Sequence, residues 1–172
     1  MKKILVLLLL LLSIAIHVSA QDYLVGVRGG SSFESDAGYF RQAEVFAGAN
    51  LPWHWDPCFG LYLKPRVETS AGCLSGGQED GFIGTLGPVI EVGEGKFPVV
   101  FSGGASPTLL SRYIFSERDL GGRFQFTDHL GFDWHVTKCF TVGWRFQHMS
   151  NAGIYRHNPG VNLQMLSSSY SF

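Results

Sequence analysis

Apolar and polar residues alternate with a period of two along most of the chain after residue 20, and no long segment there has helical periodicity. Successive side chains of a strand point to opposite faces, so each alternating segment predicts a strand with one apolar and one polar face. Around 59–68, for example, Leu61 and Leu63 share one face while Lys64 lies on the other. Gly, Pro, Asn and Asp clusters separate these segments. The chain is therefore predicted to be all-β.

Alternation alone fits two architectures, because a sandwich hides apolar faces in a core and a membrane barrel turns them toward lipid. Three features favour an antiparallel transmembrane barrel of the bacterial outer membrane: strands of about ten residues or more, which suit a tilted membrane span; aromatic residues on the apolar faces; and a terminal Phe172. The pattern predicts eight strands, at about 22–31, 39–50, 58–70, 82–94, 97–107, 121–135, 139–150 and 161–172.

Residues 1–20 read as a signal peptide, with Lys2 and Lys3 followed by an apolar run and a small-residue cleavage site at Ala20. Residues 21–172 then form a single barrel domain in the outer membrane. A net charge of −1 argues against a nucleic-acid partner. The three cysteines, Cys58, Cys73 and Cys139, have no metal-ligand spacing and predict no disulfide framework.

The interior of an eight-stranded barrel is just filled by side chains, so no pore is expected. Charged residues of both signs have inward parity and can neutralise one another there: Arg28, Glu44, Lys64, Arg66, Glu68, Glu91, Arg123, Asp133 and Arg145. We expect His129 and His135 to belong to this polar interior and not to a metal site. The connections at 71–81, 107–120 and 151–160 are predicted to be outer loops.

One pair of polar residues continues an outward-facing apolar row. Trp144 and Phe146 are predicted to face outward, so His148 and Ser150 follow them on the same face at the rim. If residues 151–160 close a simple hairpin, Asn162 lies beside His148. Such a serine, imidazole and third polar group resemble the arrangement used for nucleophilic acyl transfer, although the spacing His-x-Ser is common by chance and equally fits a capping role.

The segment "HMSNAG", followed by "NPGVN" and a short final strand, resembles the C-terminal signature of the outer-membrane lipid A 3-O-deacylase (PagL) family. The resemblance implies an eight-stranded barrel that hydrolyses the 3-O-linked acyl chain of lipid A in the outer leaflet. It also implies Ser150 as the nucleophile, His148 as the general base, and Asn151 with the backbone near Gly153 as oxyanion stabilisers. It implies no metal and no organic cofactor. The predicted partners are lipopolysaccharide, the membrane and, in a homodimer, a second copy of the chain.

One position departs from the family pattern, because Asn162 stands where a glutamate is expected as the third catalytic residue. An asparagine can hold the histidine tautomer but cannot balance an imidazolium charge, so Asp119 is considered as a supporting acid. Arg112, Arg118 and Arg156 in the outer loops are candidate contacts for lipid A phosphates. Two alternatives to the esterase remain open: a non-catalytic small barrel with an envelope-structural or surface-binding role, and a soluble exported sandwich.

Overall fold

The computed structural model of the chain describes residues 23–32, 39–53, 55–56, 60–95, 97–116 and 118–172. The predicted signal peptide at 1–20 and Cys58 lie outside the described residues. The described residues form ten strands: β1 (Tyr23–Ser32), β2 (Phe40–Asn50), β3 (Leu61–Gly76), β4 (Glu79–Glu94), β5 (Val99–Leu110), β6 (Ile114–Phe115), β7 (Arg118–Asp119), β8 (Phe124–His135), β9 (Phe140–Ser150) and β10 (Val161–Ser171). Within the described residues, no helix is long and apolar enough to cross a membrane.

Eight of these strands form a closed antiparallel barrel in the order β1-β10-β9-β8-β5-β4-β3-β2. The predicted fold class is therefore confirmed, and the alternative of a sandwich is wrong. β1 pairs with β10, so the first and last barrel strands close the sheet and leave no open edge. The two remaining strands, β6 and β7, form a small separate hairpin in the connection between β5 and β8.

The predicted inward and outward faces of β9 are also confirmed. Gln147 is fully buried, and the Arg145 guanidinium lies near the carboxylates of Glu44 and Glu68 inside the barrel. Phe146, by contrast, is 39% exposed. Large apolar side chains cover the outward positions of the other strands in the same way, for example Phe82, Leu86, Phe101, Leu130 and Leu166. An apolar outer surface of this kind suits lipid contact.

Two predicted loops are shorter than expected. β3 runs to Gly76 and β4 begins at Glu79, so the predicted loop at 71–81 is mostly strand with a tight turn at 77–78. Small residues dominate this stretch and hide the alternation, but Leu74 and Ile83 point inward and are fully buried. β5 likewise extends to Leu110. The third predicted loop, at 151–160, is a loop in the structure.

The interior has two halves of opposite character. A network of buried ion pairs joins Arg28, Arg66 and Arg145 to Glu44, Glu68 and Glu91, as the inward parity predicted. Arg123 is an exception, because it precedes β8 and is exposed. Toward the end of the barrel where β9 ends, which we call the site end, the interior is instead an apolar cluster: Phe40, Leu74, Ile83, Leu110, Phe115, Leu120, Met149, Val161, Leu163 and Met165.

A short segment covers the site end of the barrel. We call residues 111–116 and 118–123 the cap segment; it contains the β6–β7 hairpin. Its Phe115 and Leu120 are buried in the apolar cluster, and the Phe115 ring packs edge-on against Phe40 with centroids 5.4 Å apart. The cap segment is therefore anchored by burial of apolar side chains in the barrel mouth.

Candidate active site

Strand pairing brings His148 and Asn162 together at the site end. His148 lies two residues before the end of β9, and the register places it directly opposite Asn162 on β10. Directly opposite residues of an antiparallel pair share a face and have Cβ atoms about 5 Å apart. The prediction that His148 and Asn162 lie side by side is therefore confirmed, and both side chains point to the outer surface of the barrel.

A hydrogen bond joins the two side chains. His148 Nδ1 lies 2.7 Å from Asn162 Oδ1. Because an amide oxygen can only accept, His148 Nδ1 is the donor in this contact, and in the neutral imidazole Nε2 is then the nitrogen without a proton. Asn162 thus fixes the tautomer in which the imidazole can act as a base through Nε2.

Ser150 is the last residue of β9 and lies on the same outward face as His148. It is half-buried and stands opposite Phe126 of β8. Among the described residues, no hydrogen bond joins Ser150 Oγ to the His148 ring. Nucleophile and base contacts are often long in unliganded enzymes and tighten when substrate binds. The two side chains share the face and the sequence spacing that such a contact needs.

The loop that follows Ser150 is folded around the Asn151 side chain. We call residues 151–160 the site loop. Asn151 is fully buried, and its Nδ2 donates to Leu120 O at 3.1 Å and to His157 O at 2.7 Å. Its Oδ1 accepts from Gly153 N at 3.0 Å. The amide of Asn151 therefore organises the loop, and the Gly153 N–H, a predicted oxyanion donor, is bonded to it.

The site loop has a left-handed backbone at Ala152 with φ 50°, at Gly153 with φ 80° and at its last residue, Gly160. The first is rare for a residue with a Cβ and is held here by the surrounding bonds. The Asn151 N–H donates to Asn158 Oδ1 at 3.0 Å, and Ile154 N donates to Asn151 O at 3.0 Å. These contacts fix a tight turn directly after the candidate nucleophile.

The three arginines predicted to contact phosphate have different surroundings. Arg112 Nη1 lies 2.8 Å from a Glu79 carboxylate oxygen on the surface. Arg118 Nη2 donates to the backbone oxygen of Gly160 at 2.8 Å. Arg156 is exposed in the site loop. Each guanidinium group thus has its own surroundings, and phosphate contact stays a prediction.

The positions of the acidic residues near the site were the feature that was hardest to predict from the sequence. Asp119, considered as a supporting acid, accepts a hydrogen bond from Gly121 N at 2.7 Å and so stabilises a turn of the cap segment. Asp128 of β8 lies directly opposite His148, on the side away from Asn162. The sequence offered one signal for it, since Asp128 interrupts the apolar face of its strand. The other outward-facing acids of the described barrel strands, Asp80 and Glu94, lie at the ends of β4.

No group of three or more potential metal ligands occurs among the described residues. His129 is buried among the interior charges, and His135 Nδ1 lies 2.9 Å from Thr141 Oγ1. Cys73 and Cys139 are free thiols. The candidate site consists of the row formed by Asp128, His148 and Asn162 and of the adjacent Ser150.

Comparison with known proteins places this geometry in context. The profile of the lipid A 3-O-deacylase (PagL) family matches residues 41–171. The chain is 29% identical over 152 residues to the lipid A deacylase PagL of Bordetella bronchiseptica strain RB50, and the match covers 84% of each chain.

Two solved structures have the same fold. The crystal structure of the outer membrane enzyme PagL matches with a TM-score of 0.73 and 18% identity, over 87% of this chain and 99% of that one. The N-terminal β-barrel domain of Pseudomonas aeruginosa OprF matches with a TM-score of 0.59 and 14% identity, over 90% of this chain and all of that domain. At these identities the likeness concerns the fold alone.

Proposed function

The chain belongs to the lipid A 3-O-deacylase (PagL) family, and from this premise we propose that it is an outer-membrane hydrolase that removes the 3-O-linked acyl chain of lipid A with Ser150 as nucleophile. One observation carries the proposal: Asn162 fixes the His148 tautomer on the outward face of the barrel, beside Ser150. An outward site at the rim meets its lipid substrate within the leaflet, so the acyl chains need not leave the membrane.

In the acylation step, His148 Nε2 takes the Ser150 proton while Ser150 Oγ attacks the ester carbonyl carbon. The tetrahedral intermediate then collapses, the bond to the sugar oxygen breaks, and His148 returns its proton to that oxygen. Water, deprotonated by His148, then attacks the carbonyl carbon of the acyl-serine. The bond to Ser150 Oγ breaks, His148 returns its proton to that oxygen, and the free fatty acid leaves. Each residue ends the cycle with the charge it had at the start, and no metal or organic cofactor is required.

The negative charge that forms on the carbonyl oxygen needs hydrogen-bond donors. We assign this role to the backbone of the site loop at Gly153, next to the left-handed residue Ala152. The Gly153 N–H now donates to Asn151 Oδ1, so it must turn toward the oxyanion when the substrate is bound. Asn151 contributes by holding the turn, since its own amide hydrogens are bonded to backbone oxygens.

Asn162 orients His148 but cannot balance the positive charge that the imidazole gains in the transition state. In the best-studied serine protease, replacing the triad aspartate by asparagine lowers kcat about ten thousand-fold, chiefly through the wrong tautomer. Here Asn162 Oδ1 accepts from His148 Nδ1, which favours the tautomer that the mechanism needs, and Asp128 stands opposite His148 on the neighbouring strand. We propose that Asp128 supplies part of the missing charge across the strand pair.

The test is mass spectrometry of lipid A from cells that express the chain or its variants. The unaltered chain is expected to release a 3-hydroxy fatty acid, and Ser150→Ala and His148→Ala are each expected to reduce the release below about 1%. Ser168→Ala, which removes a hydroxyl from an outward position of β10, serves as the matched control and is expected to be fully active.

Heat-modifiable migration on gels reports whether each variant forms the barrel. A folded, expressed barrel that leaves lipid A unchanged would refute the enzymatic function and favour a structural or surface-binding role. Unchanged release by a folded Ser150→Ala variant would refute the nucleophile while leaving the hydrolase assignment in place.

A further inference from the structure

The guanidinium of Arg118 is bonded to the backbone at the end of the site loop. Its Nη2 donates to Gly160 O at 2.8 Å and approaches Pro159 O at 3.4 Å. Its Nε is buried. A bidentate phosphate contact needs two adjacent N–H groups of the guanidinium on the same side. In Arg118 the side formed by Nε and Nη2 is directed into the protein, so this side is not available to a phosphate.

Gly160, the residue that Arg118 holds, packs directly against the His148 ring. A Cβ on Gly160 would lie 2.9 Å from His148 Cε1 and 3.6 Å from Nε2. Gly160 also has φ 66°, a conformation that favours glycine. The Gly160 backbone therefore lies beside the edge of the imidazole that carries Nε2, the basic nitrogen. Any shift of this backbone changes the space into which the ring can rotate.

Two further contacts join the cap segment to the site loop. Leu120 O accepts from Asn151 Nδ2 at 3.1 Å, and the Tyr155 ring packs on Gly122, where a Cβ would lie 2.3 Å from the ring. The cap segment is itself anchored in the barrel mouth by Phe115 and Leu120. The site loop is thus fastened to a rigid part of the molecule at three points, of which Arg118 is the one next to His148.

We propose that Arg118 is a positioning residue of the deacylase: through the Gly160 backbone it holds the His148 ring in its reactive orientation, and it does not bind substrate phosphate. This inference rests on the function proposed above. It predicts that loss of Arg118 lowers kcat and leaves KM unchanged, because the affected group is the base and not a substrate contact.

The experiment uses the full-length barrel in detergent, with bisphosphoryl and monophosphoryl lipid A as the two substrates. Arg118→Gln is expected to lower kcat by about tenfold to a hundredfold on both substrates, with KM within about twofold, since small misplacements of a catalytic group have effects of this size. Arg118→Lys keeps a donor for Gly160 O and is expected to recover part of the loss. Arg41→Gln is the control. It removes an arginine of β2 at the site end of the barrel but outside the site, and its kcat and KM are expected to match those of the unaltered chain.

A second measurement does not depend on activity. Trypsin can cut the site loop after the exposed Arg156, and the fragment beginning at His157 is identified by its mass. Release of the Gly160 backbone should make this cut faster in Arg118→Gln than in the unaltered chain or Arg41→Gln. If the unaltered chain does not hydrolyse lipid A, the proposed function fails while the proteolysis still tests the anchoring.

Three results would overturn the inference. A rise in KM on bisphosphoryl lipid A alone would show that Arg118 contacts phosphate. Unchanged kcat together with unchanged proteolysis would show that the contact with Gly160 does not matter. Failure of both Arg118 variants to form a heat-modifiable barrel would make the residue a requirement for folding.

Discussion

At the scale of single residues, a neutral amide stands where an acid would balance the charge on His148. Asn162 on β10 and Asp128 on β8 each stand directly opposite His148, which lies on the strand between them, β9. Only Asn162 is hydrogen-bonded to it. In the proposed mechanism, the site separates two tasks that one carboxylate performs in the usual triad, with Asn162 setting the tautomer and Asp128 supplying charge from a distance.

This separation predicts an order of rates in a double-mutant cycle. Asn162→Asp adds charge at hydrogen-bonding distance and is expected to raise kcat by about tenfold, which corresponds to about 1.4 kcal/mol of transition-state stabilisation. Asp128→Asn is expected to lower kcat by a similar factor. The double variant Asp128→Asn with Asn162→Asp should return to near the original rate, because one carboxylate again flanks the ring.

Lipid A hydrolysis by the purified variants measures these rates, with Asp80→Asn as the control for loss of an outward-facing acid. Equal rates for Asp128→Asn and the unaltered chain would remove Asp128 from the mechanism. A fall of kcat in Asp128→Asn that Asn162→Asp does not repair would assign Asp128 a local structural role.

The residue-scale geometry was predictable where it depended on parity alone. Counting by twos along β9 and back along β10 placed His148 and Asn162 side by side, and the register agrees. The partner on β8 could not be found this way, because the offset between β8 and β9 depends on the turn at 136–139, whose geometry the alternation does not encode. The phosphate contact predicted for Arg118 was inferred from its charge, whereas its position depends on the cap segment and the site loop folding together.

At the scale of elements, the cap segment and the site loop act as one unit. The barrel strands were predictable because each keeps its alternation over ten residues or more. β6 and β7 have two residues each, too few for any periodicity. Burial of Phe115 and Leu120 in the mouth and contacts with the site loop hold them in place. The element that fixes the site is thus the one with the weakest sequence signal.

Gly121 offers a test of this unit. It has φ 86°, and a Cβ there would lie 2.0 Å from His157 O of the site loop, so Gly121→Ala must push the two segments apart. We expect kcat on lipid A to fall by about tenfold or more, while the barrel remains folded. Gly95→Ala, in the turn at the opposite end with no atom within 4 Å of the added Cβ, is the matched control. A Gly121→Ala variant with unaltered kcat would show that the site loop does not need the cap segment.

At the scale of the whole molecule, stability and chemistry are located in different parts of the barrel. The inward face carries buried ion pairs in one half and an apolar cluster in the other. The outward face is mainly apolar, and the row of Asp128, His148 and Asn162 interrupts it near the site end. A rigid interior supports a polar site on a surface where polar groups are otherwise unfavourable.

Glu68 is the interior residue whose loss should separate these two properties most clearly. Its carboxylate pairs with Arg28, with Arg66 at 3.2 Å and with Arg145 at 3.6 Å, and its side chain is only 6% exposed. Glu68→Gln leaves three buried arginines with one fewer counter-charge, and removal of one member of a buried ion pair typically costs about 3–5 kcal/mol. We therefore expect a loss of this size in the free energy of unfolding, measured by guanidinium titration of the barrel in lipid vesicles.

Glu79→Gln, which breaks the exposed pair with Arg112, should cost less than about 1 kcal/mol. Deacylation by the folded Glu68→Gln barrel should stay within about twofold of the original kcat, because Glu68 contributes no atom to the site. A large fall in kcat without loss of stability would mean that the interior charges act on His148 through the barrel wall, and the division between interior and site would have to be abandoned.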